Sequence, residues 1–262
     1  MKVFLVWHRA ELRTHDNPAL DFAAWQVQKY DGKVVPVVVI DDAIFSRSDL
    51  SPRRQAHFLE NVRALRESYR KLGADLVVRR GKPASELEKL ARELGEVEAI
   101  SFIRNYTPYA QKRDAEVTEI FEKMGARVES FGGNYTHEPG EVLAGSGNRY
   151  GVFGAYRKKW DTLKKPEILA APQRLPKLPS KISIGEIPTV KSDVPLPEAG
   201  EDAARGRLEW FLKNGEKTYE KTRDQPGLEE STSKLSLYFN LGICSPRLAH
   251  AHAKTQKWGA EL

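Results

Sequence analysis

The chain has 262 residues, 40% of them hydrophobic and 30% charged, a balance typical of soluble globular proteins with one or two domains. Its apolar runs are far too short to cross a bilayer, and its first residues pass directly into a strand pattern, unlike a signal peptide. Lys and Arg outnumber Asp and Glu by 42 to 36, which gives a net charge of +6. This excess favours a polyanionic partner, but lysines that only keep the protein soluble explain it as well.

The single cysteine, Cys244, excludes an intrachain disulfide and indicates a reducing compartment, so we expect a cytoplasmic protein. Its apolar neighbours Leu241 and Ile243 predict a buried structural thiol. His250 and His252 lie two residues apart, a spacing that points them in different directions on a helix. We therefore predict no metal site.

Short runs rich in Val, Ile and Phe alternate with helical patterns through the first 131 residues. The predicted strands are 2–7, 34–41, 74–80, 97–103 and 126–131. Helices between successive strands imply parallel pairing through right-handed crossovers, and hence a doubly wound α/β sheet with ligands at the carboxyl ends of its strands. The sequence lacks a G-x-G-x-x-G fingerprint and a Walker loop, which argues against an ordinary dinucleotide dehydrogenase or a P-loop enzyme.

The clearest helical pattern begins at Ser51 and Pro52, an N-cap followed by a proline at the first helical position. Apolar residues then recur at steps of four and three until Gly73, which is predicted to end the helix. A second helix is predicted to stop at Gly125.

Composition changes after residue 131. Residues 132–154 hold seven of the 19 glycines, and residues 166–197 hold seven of the 15 prolines, which predicts a long connector running over a surface. A helical pattern resumes near residue 199. One helix is expected to end at Gly215, and Ser245 with Pro246 predicts the start of another.

The run from Tyr219 to Ser236 (YEKTRDQPGLEESTSKLS) concentrates hydroxyl groups and an ammonium on a turn expected to open a helix. Such a turn suits a phosphate, because backbone N–H groups and the helix dipole favour an anion there. The alternative is that Ser231 or Thr232 only caps a helix.

Four segments follow one another along the chain: residues 6–20 (VWHRAELRTHDNPAL), 105–114 (NYTPYAQKRD), 149–160 (RYGVFGAYRKKW) and 219–247. Together they resemble the DNA photolyase/cryptochrome family, in particular prokaryotic class I photolyases of cyclobutane pyrimidine dimers. In the first segment, Asn17 and Pro18 are expected to start a helix, and Arg9, Arg13 and Asp16 to connect it to the preceding strand. A lesser alternative is that Arg13 helps to hold a chromophore.

This resemblance implies three regions. Residues 1–131 would form a Rossmann-like five-stranded α/β antenna domain, residues 132–198 an interdomain linker, and residues 199–262 the beginning of an all-α FAD-binding domain. The resemblance thus places the end of the sequence inside the flavin domain. We therefore expect this polypeptide alone to bind FAD weakly or not at all.

The resemblance also implies roles for single residues. Tyr219 would flank the FAD phosphates, and Arg223, paired with Asp224, would contact DNA. The flavin run would comprise Thr232, Ser233, Lys234, Leu235 and Ser236. Lys234 replaces the family's usual arginine, which keeps the charge but loses the bidentate fork.

The final residues, WGAEL, resemble the start of another family segment. On that match Trp258 lies against the flavin, and Glu261 is the catalytic residue that hydrogen-bonds the flipped dimer in the DNA. The alternative for Glu261 is a solvated chain end.

The implied enzyme is a deoxyribodipyrimidine photo-lyase, a carbon–carbon lyase that repairs UV-damaged DNA with light and reduced FAD. Arg157, Lys158, Lys159 and Lys221 are candidate phosphate contacts, although a solvated charge run explains the first three as well. We expect a monomer without membrane association; an alternative is that it needs a missing C-terminal part. The sequence leaves open whether cyclobutane or (6-4) lesions are repaired.

Two further questions stay open. The first is the identity of the antenna chromophore. Thr107 stands where folate-binding relatives commonly have an acidic residue, which argues against folate. The remaining candidates are a flavin or deazaflavin antenna, or no antenna at all, and FMN is favoured. The second is whether the chain repairs DNA at all. Two rival functions share the same motifs: a cryptochrome-type blue-light photoreceptor and an inactive truncated photolyase fragment.

Overall fold

The computed structural model describes residues 2–255 of the chain, and within them five parallel strands form one sheet in the order β3-β2-β1-β4-β5. The strands are β1 (Lys2–His8), β2 (Gly32–Asp41), β3 (Val77–Gly81), β4 (Val97–Ile103) and β5 (Arg127–Phe131). Each begins and ends within three residues of its predicted run, so the predicted doubly wound α/β sheet is confirmed. The strand order reverses between β1 and β4, the position at which such sheets bind ligands.

The helices, in chain order, are α1 (Pro18–Lys29), α2 (Asp42–Phe45), α3 (Pro52–Lys71), α4 (Pro83–Leu94), α5 (Pro108–Lys123), α6 (Phe153–Thr162), α7 (Glu201–Trp210), α8 (Glu216–Thr222), α9 (Ser236–Asn240) and α10 (Pro246–Thr255). The predicted starts at Ser51 and Ser245 are confirmed, because each hydroxyl accepts a hydrogen bond from a backbone amide in the following turn. Gly73 and Gly125, both with positive φ, follow the ends of α3 and α5 as predicted.

The sheet has a hydrophobic core on each face. β1 and β2 are buried along nearly their whole length, as parallel strands covered on both faces require. One face packs against α4 and α5, whose buried residues include Leu87 and Phe121. The other packs against α1 and α3, and this cluster continues through Leu208, Leu235 and Tyr238. The helices after residue 200 therefore share a core with the sheet.

Residues 163–200, which we call the strap, contain neither helix nor strand and cross the edge of the sheet. The Ile184 carbonyl accepts a hydrogen bond from the Val78 amide on β3 at 2.8 Å. Arg66 on α3 donates to the carbonyls of Ile184 and Gly185 at 3.0 and 2.9 Å. The strap thus satisfies backbone groups at the open edge of β3, and the predicted connector over a surface is confirmed.

The prediction that Gly215 ends a helix is wrong. A π-helical segment, Phe211–Gly215, joins α7 directly to α8, so the chain remains helical. A Cβ on Gly215 would lie 2.6 Å from Cδ2 of Phe211, so the glycine allows close packing inside this wider turn.

Cys244 is buried as predicted, and burial raises the pKa of its thiol to about 11, far from the range of a reactive thiolate. Between residues 2 and 255, no helix combines the length and apolar composition needed to cross a bilayer.

Candidate functional site

A cavity of about 670 Å³ opens beyond the carboxyl ends of β1 and β2. Its walls come from these strand ends, α2, the first turns of α3, and α9. The apolar lining consists mainly of Trp7, Val39, Ile44, Phe45, Phe58 and Leu237. Both the volume and the aromatic lining are typical of small-molecule sites.

Arg9 is a buried cation in the lining of this cavity. Its guanidinium carbon lies 4.5 Å from the ring centroid of Trp7 and 4.7 Å from that of Phe102, and its side chain is 6% exposed. Its terminal nitrogens donate to Asp114 and to the Ile103 carbonyl, so Arg9 ties β1 to β4 and α5. The sequence-based expectation that Arg9 ties the strand to the following helix is therefore wrong.

Two buried donors in the lining have no acceptor among the described residues: the indole N–H of Trp7 and the Nε–H of Arg9. Buried N–H groups in proteins are nearly always paired, so an unpaired donor requires an explanation. Here both belong to side chains that line the cavity, although the two nitrogen atoms themselves lie beneath its surface.

The buried acidic group of the cavity, Asp41, is already hydrogen-bonded by protein donors. Tyr109 donates its hydroxyl to Oδ2 of Asp41 at 2.5 Å, and the Ala43 amide donates to Oδ1 at 3.0 Å. Burial, followed by this bond to Asp41, raises the pKa of Tyr109 to about 12. Thr107 caps α5 by accepting from the Ala110 amide, which gives the residue at this position a structural role.

The predicted flavin run forms a turn ahead of α9. Arg207 on α7 donates from Nε to the Ser233 carbonyl at 2.8 Å and from Nη2 to the Thr232 carbonyl at 2.9 Å. Lys234 has a φ of 55°, in the left-handed region that residues with a side chain rarely adopt. Leu235 is buried and anchors the turn in the core.

The capping interpretation of this run is wrong. The N-cap of α9 is Leu235, which makes no side-chain cap bond, so neither Ser231 nor Thr232 caps that helix. The hydroxyls of Thr232 and Ser236 have no hydrogen-bond partner within residues 2–255. These hydroxyls lie two residues before and two residues after Lys234 in the sequence, and hydroxyl and ammonium groups are donors that suit the oxygens of a phosphate.

One carboxylate offsets the positive charge at this turn. Glu230 lies 2.6 Å from Nη2 of Arg207 and 3.7 Å from Nζ of Lys234. The hydrogen bond from Arg207 lowers the pKa of Glu230. Lys234 is held more loosely than Arg207, so its ammonium can turn toward a ligand.

The structure places Tyr219 and Arg223 on and just after α8. The Tyr219 ring packs edge-on against Phe211, and the Arg223 guanidinium lies 6.0 Å from the Tyr219 ring centroid. Arg223 is half-exposed and pairs with Asp224 at 3.7 Å, which confirms the predicted partner. The Thr222 hydroxyl is shared between the Thr218 carbonyl within α8 at 3.0 Å and the Ser231 carbonyl, just before the flavin run, at 3.3 Å.

Not every predicted site residue belongs to one site. Ser236, the last residue of the flavin run, lines the large cavity, so α9 connects the two regions. Trp258 and Glu261 lie outside the described residues, and their roles stay predictions. Arg13 is buried and donates to the carbonyls of Gly133 and Gly242, which confirms its structural role.

Sequence reasoning missed two sets of residues. Nothing local indicated that Arg207 would hold a turn 25 residues further along the chain. Arg53 and Arg54 at the mouth of the cavity did carry a signal, because two cations in a first helical turn oppose the usual charge preference there. Across residues 2–255, no cluster of three His, Cys, Asp or Glu side chains could hold a metal ion.

Comparison with known proteins gives a consistent set of similarities. The family model described as DNA photolyase matches residues 4–178. A deoxyribodipyrimidine photo-lyase of Thermus thermophilus is 38% identical, across 100% of this chain and 58% of its own length. This chain therefore spans little more than half the length of that curated relative.

Solved structures give the same picture. A Synechocystis cryptochrome aligns with a TM-score of 0.84 at 22% identity, covering 98% of this chain and 56% of its own, which supports the fold alone. A class III photolyase from Agrobacterium tumefaciens aligns with a TM-score of 0.81 at 25% identity, covering 98% and 54% of the two chains.

Proposed function

The chain belongs to the DNA photolyase family, and we propose on that basis that it acts in the light-driven repair of cyclobutane pyrimidine dimers in DNA with reduced FAD. The observation that carries this proposal is the turn over residues 232–236, which Arg207 holds through the carbonyls of Thr232 and Ser233 and which bears two hydroxyls and an ammonium along its length. These groups fit the phosphates of a dinucleotide cofactor.

The residues of the run have distinct parts in holding FAD. Lys234 offers charge to a phosphate, Thr232, Ser233 and Ser236 offer hydroxyls, and the buried Leu235 fixes the turn that presents them. Tyr219 flanks the phosphates from α8. When bound, reduced FAD supplies the light-driven electron that splits the dimer.

The DNA partner is proposed to bind through exposed cations. Arg223 and Lys221 follow one another along α8 and its end, while Lys158 and Lys159 are exposed on α6. Such side chains contact phosphates and make binding depend on salt. Trp258 and Glu261 are proposed to contact the flavin and the flipped dimer, respectively, as the family resemblance implies.

The large cavity is proposed to hold an antenna chromophore, a flavin or deazaflavin, with FMN favoured over folate. Two features support this assignment: the volume of about 670 Å³ and the aromatic lining around Trp7 and Phe45. The cavity residues would position the ring system and exclude water from it.

The repair proposal is tested with the 262-residue chain in excess reduced FAD, mixed with UV-irradiated oligothymidylate and exposed to blue light. Dimer loss, followed by chromatography, is expected only in illuminated samples, with dark samples and unirradiated DNA as controls. If protein saturated with reduced FAD leaves the dimers intact, repair by this chain is contradicted, and the two rivals, a cryptochrome-type photoreceptor and an inactive truncated fragment, take its place.

A further inference from the structure

Glu230 bridges two cations at the flavin run. One carboxylate oxygen, Oε2, lies 2.6 Å from Nη2 of Arg207, and the other, Oε1, lies 3.7 Å from Nζ of Lys234. The hydrogen bond from Arg207 lowers the pKa of this carboxyl, so the group is negatively charged at neutral pH. An anion of the protein therefore already stands beside the ammonium that the proposed function assigns to a cofactor phosphate.

The two contacts of Glu230 differ in strength. Arg207 meets the carboxylate at hydrogen-bond distance, is 18% exposed, and also donates to the carbonyls of Thr232 and Ser233. The Lys234 ammonium lies beyond hydrogen-bond distance, and the side chains of Lys234 and Glu230 are 40% and 49% exposed. Exposed ion pairs of this kind contribute little free energy. Glu230 is therefore fixed by Arg207, and only its contact with Lys234 is easily broken.

A phosphate that accepts from Nζ of Lys234 would meet Glu230 as a like charge, and two anions close to one ammonium repel each other. Within residues 2–255, Glu230 is the only acid that pairs with Lys234. We propose that Glu230 is an internal counter-anion, which competes with the diphosphate of the cofactor for Lys234 and lowers the affinity of the site. Cofactor binding breaks the Lys234 contact, while Arg207 keeps Glu230 and the turn in place. This inference rests on the proposed role of the run in holding FAD.

A counter-anion and a merely structural residue respond in opposite directions to one substitution. Glu230→Gln removes the charge but retains a side-chain oxygen that can accept from Arg207. If Glu230 only supported the turn, the variant would bind FAD as the wild type does, or more weakly. Because Glu230 competes with the phosphate, the variant is expected to bind FAD about three- to tenfold more tightly at low ionic strength. The gain is expected to shrink with added salt, which screens exposed charges.

The experiment titrates FAD into the full chain and follows the backbone amide NMR signals of residues 232–236. These signals report on the turn itself and resolve weak binding, and the spectrum of each free variant establishes that it is folded. The matched control is Glu229→Gln, which removes the neighbouring exposed carboxylate, a group without an ion pair in the described part of the chain. It is expected to change the affinity by less than about twofold.

A double-mutant cycle tests whether Glu230 acts through Lys234. Lys234→Gln removes the ammonium for which the two anions compete, so adding Glu230→Gln to this variant is expected to yield less than about a twofold gain. A gain of the same size with and without Lys234 would reveal a general charge effect and overturn the competition.

The remaining outcomes separate this inference from the function on which it rests. Equal FAD affinities of Glu230→Gln and Glu229→Gln, or weaker binding by folded Glu230→Gln, would overturn the counter-anion role and leave the flavin site standing. If FAD shifts none of these amide signals in either the wild type or Glu230→Gln, the run does not hold the cofactor. The proposed function of this turn then fails together with the inference.

Discussion

Arg247 donates two hydrogen bonds to the carboxylate of Asp16, from Nε to Oδ2 at 2.9 Å and from Nη2 to Oδ1 at 2.6 Å, across 231 residues of sequence. Asp16 is fully buried and also accepts hydrogen bonds from the Ser245 hydroxyl and the Leu169 amide. One carboxylate thus joins the turn after β1, the strap and the start of α10.

Asp16→Asn is expected to lower the free energy of unfolding by about 3 kcal/mol, because it leaves the buried Arg247 charge without its partner. Asparagine tolerates the positive φ of 52° at this position, so the change tests the charge and not the backbone. Urea unfolding measures the effect. The control is Asp202→Asn, which removes an exposed partner of Lys71 and should leave the free energy of unfolding nearly unchanged. Similar losses in the two variants would contradict the interpretation of Asp16 as a buried hub.

His8 gives a prediction about pH. Its Nδ1 bonds to the Glu11 carbonyl at 2.9 Å and its Nε2 to the Tyr69 hydroxyl at 2.6 Å. The carbonyl can only accept, so Nδ1 carries the proton and Nε2 accepts from Tyr69, which satisfies the neutral ring. Burial lowers the pKa of His8 to about 4.

Because the folded-state pKa lies below the unfolded value of 6.5, the unfolded chain binds a proton first as the pH falls. The stability contributed by neutral His8 is therefore complete above about pH 6.5 and decreases toward pH 4, by about 3 kcal/mol in total. The wild type should therefore exceed His8→Gln in free energy of unfolding by about 3 kcal/mol less at pH 4 than at pH 6.5. The other titratable groups are the same in both proteins, so their contributions cancel in this difference. An NMR pKa for His8 near 6.5 would rule this out.

The strands and many helix starts could be predicted because their signals are local. A run such as 34–41 is apolar on both faces, and Pro52 or Pro246 fixes a first helical turn whatever lies around it. Gly215 shows the limit of this reasoning, because a glycine that ends many helices here accommodates the Phe211 ring inside one.

The candidate sites were less accessible from sequence. The hydroxyl run could be recognised by its composition, but the Arg207 contacts that hold it form only after α7 packs beside the turn. The large cavity draws its lining from β1, β2, α2, α3 and α9, elements that lie far apart in the chain. No local sequence pattern indicates that these elements meet, because their meeting depends on tertiary packing.

Gly185 in the strap gives a prediction about the sheet edge. Its φ is 68°, and a Cβ there would lie 2.0 Å from the Val78 carbonyl oxygen, so Gly185→Ala must displace the strap from β3. We expect a loss of more than about 1 kcal/mol in unfolding free energy. Faster hydrogen exchange is expected at the Val78 amide, which donates to Ile184. Gly145→Ala is the control, because nothing lies within 4 Å of its Cβ position. Unchanged exchange at Val78 in Gly185→Ala would contradict the assigned contact.

Lys234 allows the backbone and the charge of the flavin run to be tested separately. Its φ of 55° costs a residue with a side chain about 1–2 kcal/mol, and glycine avoids this cost at an entropic penalty of about 0.5–1 kcal/mol. Lys234→Gly is therefore expected to raise the free energy of unfolding by up to about 1 kcal/mol, as measured with urea. Lys234→Gln keeps the backbone cost and should leave stability nearly unchanged, since the contact with Glu230 at 3.7 Å is partly exposed.

Both Lys234 variants remove the ammonium, so both are expected to weaken FAD binding to a similar extent, about five- to tenfold for one charge-assisted contact. FAD titration followed by fluorescence measures this. Lys221→Gln, on the outer side of α8, removes a charge without touching the run and should bind FAD as the wild type does. If Lys234→Gly is stabilised but binds FAD normally, the left-handed turn is correct and the phosphate role of Lys234 is not. If Lys234→Gln binds normally while Lys234→Gly binds poorly, the backbone conformation holds the cofactor and the charge does not.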